Sequence, residues 1–227
     1  VVESASVYGG TTAHSGGVAW IPGHHLQSSV GIKDSREEGY KYLRSLIGDT
    51  VKEERLRAYA DKADEMLQFM HNHSRVKYTP LPAYMDYYEE HQGSKHGGRS
   101  MCPGAFTLRQ LGEEAANLRR GPFNGLGMPF SMTVVESSSL MKMNLRSYLI
   151  GAKLMLRYWL DIPSRLKGSS DDRISCGEAL IARLRKTLMD RDIPLWLDSP
   201  VVELIKQDTK IIGAVINKNC LLYTSPS

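Results

Sequence analysis

The sequence predicts an α/β chain. Three observations carry this. Val1-Val2-Glu3 reads as the end of a buried strand that finishes on an acid. A series of segments with helical apolar spacing fills the middle of the chain. The strand-like runs PLWLD, VVELIK and KIIGAVI follow near the end.

In chain order, two Gly/Ser/Thr clusters come directly after the opening strand, Gly9-Gly10-Thr11-Thr12 and Ser15-Gly16-Gly17. Glycine accepts positive φ and close approach of a ligand, and the hydroxyls add short hydrogen-bonding arms. Asp34-Ser35 predicts the cap of a helix that runs through Ile47 and ends at Gly48. A second helix is predicted over 53–73, with Leu56, Tyr59, Ala60, Ala63, Leu67 and Met70 on its core face. Residues 75–104, rich in Pro, Gly, Tyr and charge, have no sustained period and read as an ordered loop or short strands. A helix over 107–119 and a breaker-rich stretch, GPFNGLGMP, come next.

Residues 134–161 are predicted to form one long helix with Lys142, Arg146, Lys153 and Arg157 on a single face. Such a cationic amphipathic helix marks either a peripheral membrane contact or a helix that covers its own protein. After the linker GSSDD, residues 177–190 read as a helix with Leu180, Leu184 and Leu188 on one side. A hairpin then returns to the core through the turn at Gln207-Asp208-Thr209-Lys210. The segment CLLYTSPS fits no strand or turn pattern, so residues 219–227 are expected to be non-native and outside the fold.

Composition narrows the function. With 227 residues and 41% hydrophobic, the chain can bury a core. Twenty-nine basic against 25 acidic residues gives a net charge of +4 without a basic run, which argues against nucleic-acid binding. Cys102, Cys176 and Cys220 are odd in number and far apart, which argues against a disulfide framework or a zinc site and fits a reducing cytoplasm. The seven histidines, His24-His25 and His71-x-His73 among them, show no metal-ligand pattern.

Three readings compete for the opening stretch. Ala13-His14-Ser15-Gly16-Gly17 is a near miss to a hydrolase nucleophile elbow, but a glycine loop separates Ser15 from the strand. A bland surface loop is the second. The third is a dinucleotide site, because a strand ending in an acid is where a Rossmann-type domain grips the adenosine ribose. The G-x-G-x-x-G that should precede the acid does not occur in this sequence. The chain is therefore expected to open inside the second strand of that fold and to hold the dinucleotide weakly by itself.

VVESASVYGGTTAHSGGVAWIP closely resembles the flavoprotein family of fumarate reductase, succinate dehydrogenase and 3-ketosteroid dehydrogenase. DSREEGYKYLRSLIGD, MDYYEEHQGSKHGGRS, and GEALIARL followed by PLWLDSPVVELI bring the 3-ketosteroid 1-dehydrogenase branch nearest. The resemblance implies a Rossmann-like FAD-binding domain, truncated at both ends, over 1–218. Within it, 1–27 would form the ribose and flavin loop, 28–173 a mainly helical insert, and 174–218 the helix and strands that rejoin the cofactor domain. It implies that Glu3 binds the ribose of FAD, and that Gly10, Thr11, Thr12, Ser15, Gly16 and Gly17 line the pyrophosphate and flavin. It further places the backbone at Pro200 and Val201 against the adenine, and makes Tyr87 a catalytic tyrosine that supports proton removal. Arg99 and Ser100 lie in the same constellation. His14 is not at the position where succinate dehydrogenases attach flavin covalently, which falls near Gly10, so noncovalent FAD is expected. The implied substrate is a 3-ketosteroid or similar ketone, dehydrogenated at the 1,2 position, with no motif to indicate the electron acceptor. A fumarate reductase-like enoate reductase and a non-catalytic FAD-fold fragment are the alternatives.

Overall fold

The structure, a computed structural model, describes residues 1–121, 130–166, 172–218 and 221–226. The breaker-rich stretch, apart from Gly121 and the flanking Phe130, and the linker, apart from Asp172, lie outside the described residues. So does Cys220.

The first helix, α1 (Gly10–Ala13), is one short turn that begins after Gly9 at a φ of 126°. Strand β1 (Ala19–Trp20) and a 3-10 turn, Gln27–Val30, lead to helix α2 (Arg36–Ile47). As the capping signals predict, the Ser35 side chain accepts from the Glu38 amide, and Gly48 ends the helix at a φ of 60°. After a 3-10 turn at Gly48–Thr50, helix α3 (Glu53–His73) buries Leu56, Ala60, Ala63 and Leu67 at helical spacing. Fully burying a leucine such as Leu67 stabilises by about 2 kcal/mol. Tyr59 departs from the expected core face. It is 47% exposed and stacks near Trp20.

Strands β2 (Tyr78–Pro80) and β3 (Ser100–Pro103) pair antiparallel, and β3 also pairs with β1, in the order β1-β3-β2. Strand β4 (Phe106–Thr107) opens a 3-10 segment, Leu108–Asn117, in place of the expected α-helix. Gly112, at φ 58° and ψ −133°, breaks the helical path there. The long helix predicted over 134–161 is two helices, α4 (Val134–Leu140) and α5 (Leu145–Leu160). Met143 turns to a φ of 48°, and Asn144 restarts the chain with a capping box to Ser147. Lys142 therefore falls in the turn and leaves the helical face.

Helix α6 (Ile162–Leu166) and strand β5 (Arg173–Ile174), paired with β4, precede helix α7 (Cys176–Met189). The buried side of α7 is Ala179, Ala182 and Arg185, while Leu180, Leu184 and Leu188 are half-buried. This shifts the expected leucine face. Short alanines let α7 sit close to Phe106, Leu111, Leu118, Ile174 and Tyr8 in the main core. A second cluster joins Ile21, Ala63, Leu67 and Met101, and a third joins Tyr40, Leu56 and Ala60.

Strands β6 (Val201–Gln207) and β7 (Lys210–Lys218) form the predicted hairpin around Asp208. Val201, Val202 and Leu204 are exposed, so only Gly213 and Ile216 of the hairpin reach buried ground. The expectation that 219–227 has no place in the fold is corrected for its backbone: Leu221–Pro226 forms β8, antiparallel to β7. The opening strand is reduced to two parallel contacts, Val2 with Trp196 and Tyr8 with Leu118, and Val1 is 61% exposed rather than buried.

Candidate cofactor cradle and substrate cleft

Glu3 is held against the segment 196–199. Its amide donates to Trp196 O at 2.8 Å, and its carbonyl accepts from Ser199 N at 2.8 Å. That places the acid beside Pro200 and Val201, residues nearly two hundred positions away. Glu3 Oε1 accepts from Ala5 N at 3.0 Å and Ser4 Oγ at 3.2 Å. Oε2 makes no hydrogen bond among the described residues, and the half-buried side chain keeps an acceptor open.

The glycine clusters divide into two jobs. Gly10, Thr11 and Thr12 are exposed and form the first turn of α1, where amides have no intrahelical acceptor. Gly10 sits at φ +51° with open space beside its Cα. Ser15, which is exposed, and Gly17, which is buried, are tied to each other. Ser15 Oγ donates to Thr12 O at 2.8 Å and accepts from Gly17 N at 3.0 Å. A Cβ on Gly17 would come within 2.9 Å of Gly177 N, and one on Gly177 within 1.8 Å of Thr12 O. These two glycines let the loop lie on the start of α7, while Gly16, half-buried, bridges them. Beneath the loop, burial pushes the Glu178 carboxyl up; its Oε1 accepts from Gly121 N, and Oε2 lies 3.5 Å from Arg120 Nε in an ion-pair contact.

These residues fit FAD at two points: an open carboxylate oxygen at a strand end for the ribose, and an open turn of amides and hydroxyls for the pyrophosphate.

From Val18, the residue after Gly17, the chain enters a largely apolar cleft of about 570 Å³. Trp20, Leu43, Ile47, Tyr59, Tyr84 and Tyr87 are among its walls. Tyr87 is 81% exposed, and its hydroxyl lies 2.9 Å from that of Tyr84. The hydrogen bond to Tyr87, then burial, raises the Tyr84 pKa, so Tyr84 keeps its proton. Burial also raises Tyr42 and Tyr59. The partnership of Tyr84 with Tyr87 had one trace in the sequence, their three-residue spacing in a tyrosine-rich loop.

Arg99 does not reach the cleft. It is 1% exposed, and its guanidinium is closed by Asp34 (2.8 and 2.7 Å) and Asp86 (2.8 Å). Asp86, next to Tyr87, also accepts from Trp20 Nε1 at 2.6 Å and Lys95 N at 2.9 Å. Arg99 therefore pins the tyrosine loop to the entrance of α2. Burial pushes the Asp34 carboxyl up, but hydrogen bonds and charge from Arg99, with Gln27 and the Gly23 amide, hold it down to about 2. Ser100 lies beside this ion cluster and lines the cleft. No group of three or more His, Cys, Asp or Glu suited to a metal occurs among the described residues.

The geometry matches known proteins. A family model described as FAD binding domain matches residues 1–225. The 3-oxosteroid 1-dehydrogenase of Mycolicibacterium smegmatis is 34% identical over 95% of this chain and 37% of its own length. The protein of the same name from Comamonas testosteroni is 32% identical over 96% of the chain and 39% of its length. The crystal structure of 3-ketosteroid delta1-dehydrogenase from Sterolibacterium denitrificans, in complex with 1,4-androstadiene-3,17-dione, superposes with a TM-score of 0.90. It shares 36% identity over 100% of this chain and 41% of that one. The chain thus spans about two fifths of the length of these relatives. With its mixed α/β cofactor core and added helices, the chain belongs to the FAD binding domain family of oxidoreductases, among relatives named 3-oxosteroid 1-dehydrogenase.

Proposed function

We propose that this chain provides the FAD cradle and one wall of the substrate cleft of an oxidoreductase that dehydrogenates a 3-ketosteroid, or a similar flat apolar ketone, at the 1,2 position. The observation that carries the reading is the continuity of the glycine loop, through Val18, with an apolar cleft that holds the Tyr84–Tyr87 pair. The steroid in the Sterolibacterium structure supports the substrate class.

FAD, when bound, accepts the hydride. The chain's own groups bind, orient and manage the proton. Trp20, Leu43, Ile47 and Tyr59 offer flat and aliphatic surface to a fused ring system and displace water from it. Tyr84 can donate to Tyr87 Oη and orient that hydroxyl, so that Tyr87 can in turn donate to the group that takes the proton and lower the cost of its ionised form. Glu3 and the Gly10–Thr12 turn would hold the ribose and pyrophosphate noncovalently.

Tyr87→Phe tests the reading. It keeps the ring and removes the hydroxyl, so ketosteroid affinity should stay within about twofold while anaerobic reduction of bound FAD slows about 100-fold. Equal rates would remove Tyr87 from the chemistry.

Helix α5 supports a second surface reading, contact with an anionic membrane surface. At about 100° per residue, Leu145, Tyr148, Leu149, Leu156, Trp159 and Leu160 form one arc, all more than half exposed. Arg146, Lys153 and Arg157 flank that arc, and Ser147 and Leu154 on the opposite side are buried. No helix among the described residues is long and apolar enough to cross a membrane, so the contact would be peripheral. The protein should sediment with phosphatidylserine vesicles at low salt and release at high salt. Failure to sediment at low salt removes this contact.

A further inference from the structure

Arg55 lines the same cleft as Tyr84 and Tyr87. Four other cations of α2 and α3 are paired with acids: Lys41 with Glu38 at 3.0 Å, Arg44 with Asp49, Arg57 with Glu37 at 2.6 Å and Glu53 at 3.8 Å, and Lys62 with Glu65 at 2.6 Å. Arg55 makes no ion pair and no side-chain hydrogen bond among the described residues. The acid in the cleft wall, Asp86, is 2% exposed and committed to Arg99, Trp20 and the Lys95 amide. The open charge of an otherwise apolar and phenolic cleft is therefore one guanidinium.

We propose that Arg55 recognises a carboxylate on the ligand, so that the cleft favours a ring ketone bearing an acidic group over its neutral counterpart. The proposal rests on the cleft reading given above. A guanidinium offers two parallel donors that match a carboxylate, and partial exclusion of water by the apolar walls strengthens the pairing over that in bulk solvent. Because Arg55 is exposed on α3, replacing it leaves the packing of that helix intact.

The test is calorimetric titration of the FAD-loaded protein with three ligands. They are 1,4-androstadiene-3,17-dione, its analogue with a carboxylate in place of the 17-ketone, and the methyl ester of that acid. At low salt the acid should bind about fivefold more tightly than its ester, the scale of a partly exposed ion pair, and high salt should shrink the preference. Arg55→Gln should abolish the preference for the acid over its ester, while Arg55→Lys should keep most of it. Equal affinity for acid and ester in the wild type, or a preference that survives in Arg55→Gln, overturns the role of Arg55 and leaves the cleft standing. Failure of all three ligands to bind overturns the cleft reading and the proposal with it.

Discussion

Replacing Arg99 with Met is the most severe test of how the tyrosine loop is held. The substitution keeps much of the side chain's volume and deletes three charge-assisted hydrogen bonds to two carboxylates, exposed by 0% and 2%. Asp34 retains only the Gln27 amide and the Gly23 N–H, and Asp86 retains Trp20 Nε1 and the Lys95 N–H. Two buried anions then share no cation. Breaking a buried pair by removing one partner costs about 3 to 5 kcal/mol, and with two carboxylates stranded the upper half of that range is expected at neutral pH. The pH dependence gives a signature that lost packing would not. In the wild type, the lowered Asp34 pKa contributes stability above the unfolded value, and this is lost as pH falls from about 4 toward 2. In Arg99→Met, burial acts on Asp34 without the guanidinium and raises its pKa above the unfolded value, so the variant should gain stability as pH falls from 7 to 5. Urea unfolding followed by tryptophan emission at both pH values measures this. A loss below about 1 kcal/mol, or an equal loss at both pH values, would refute the ion-clamp account.

Other contacts of the structure give further expected outcomes. Gly177→Ala would stabilise an isolated helix by up to about 1 kcal/mol, but here its methyl meets Thr12 O at 1.8 Å, so about 2 kcal/mol of destabilisation and weaker FAD binding are expected by thermal shift and flavin titration. A stabilised variant would mean that the glycine loop does not sit on α7. Ser35→Ala removes the acceptor for the Glu38 amide and should cost about 1 kcal/mol in urea unfolding, whereas no loss would show that α2 is held by packing alone. In the wild type, protonating Asp34 should cost about 2 kcal/mol between pH 4 and 2, and Asp34→Asn should flatten that acid limb.

The sequence by itself determined the elements whose signals are local. Helices α2 and α3 begin and end where the Ser35 cap, Gly48 and the apolar spacing say they should, because capping and periodicity act within a few residues. The β6–β7 hairpin was legible for the same reason, and the ordered glycine, acid and tyrosine motifs pointed to the cofactor family. Tertiary structure decided the rest. The break between α4 and α5 was present as a capping box at Asn144, but an apolar run on either side hid it from a periodicity argument. Ser15 and Gly17 read as ligand contacts, and the approach of Gly177, some 160 residues away, adds a packing role at Gly17 that the sequence does not show. Arg99 read as part of the reaction constellation because its two carboxylate partners, one of them 65 positions distant, cannot be paired with it from sequence. Arg55 gave no signal, since an exposed helical arginine is ordinary; it gains meaning only where folding brings it to the wall that holds Tyr87 and leaves it without an acid of its own. Local hydrogen bonds and side-chain spacing fix elements, whereas burial, charge pairing and clefts are properties of residues brought together from afar.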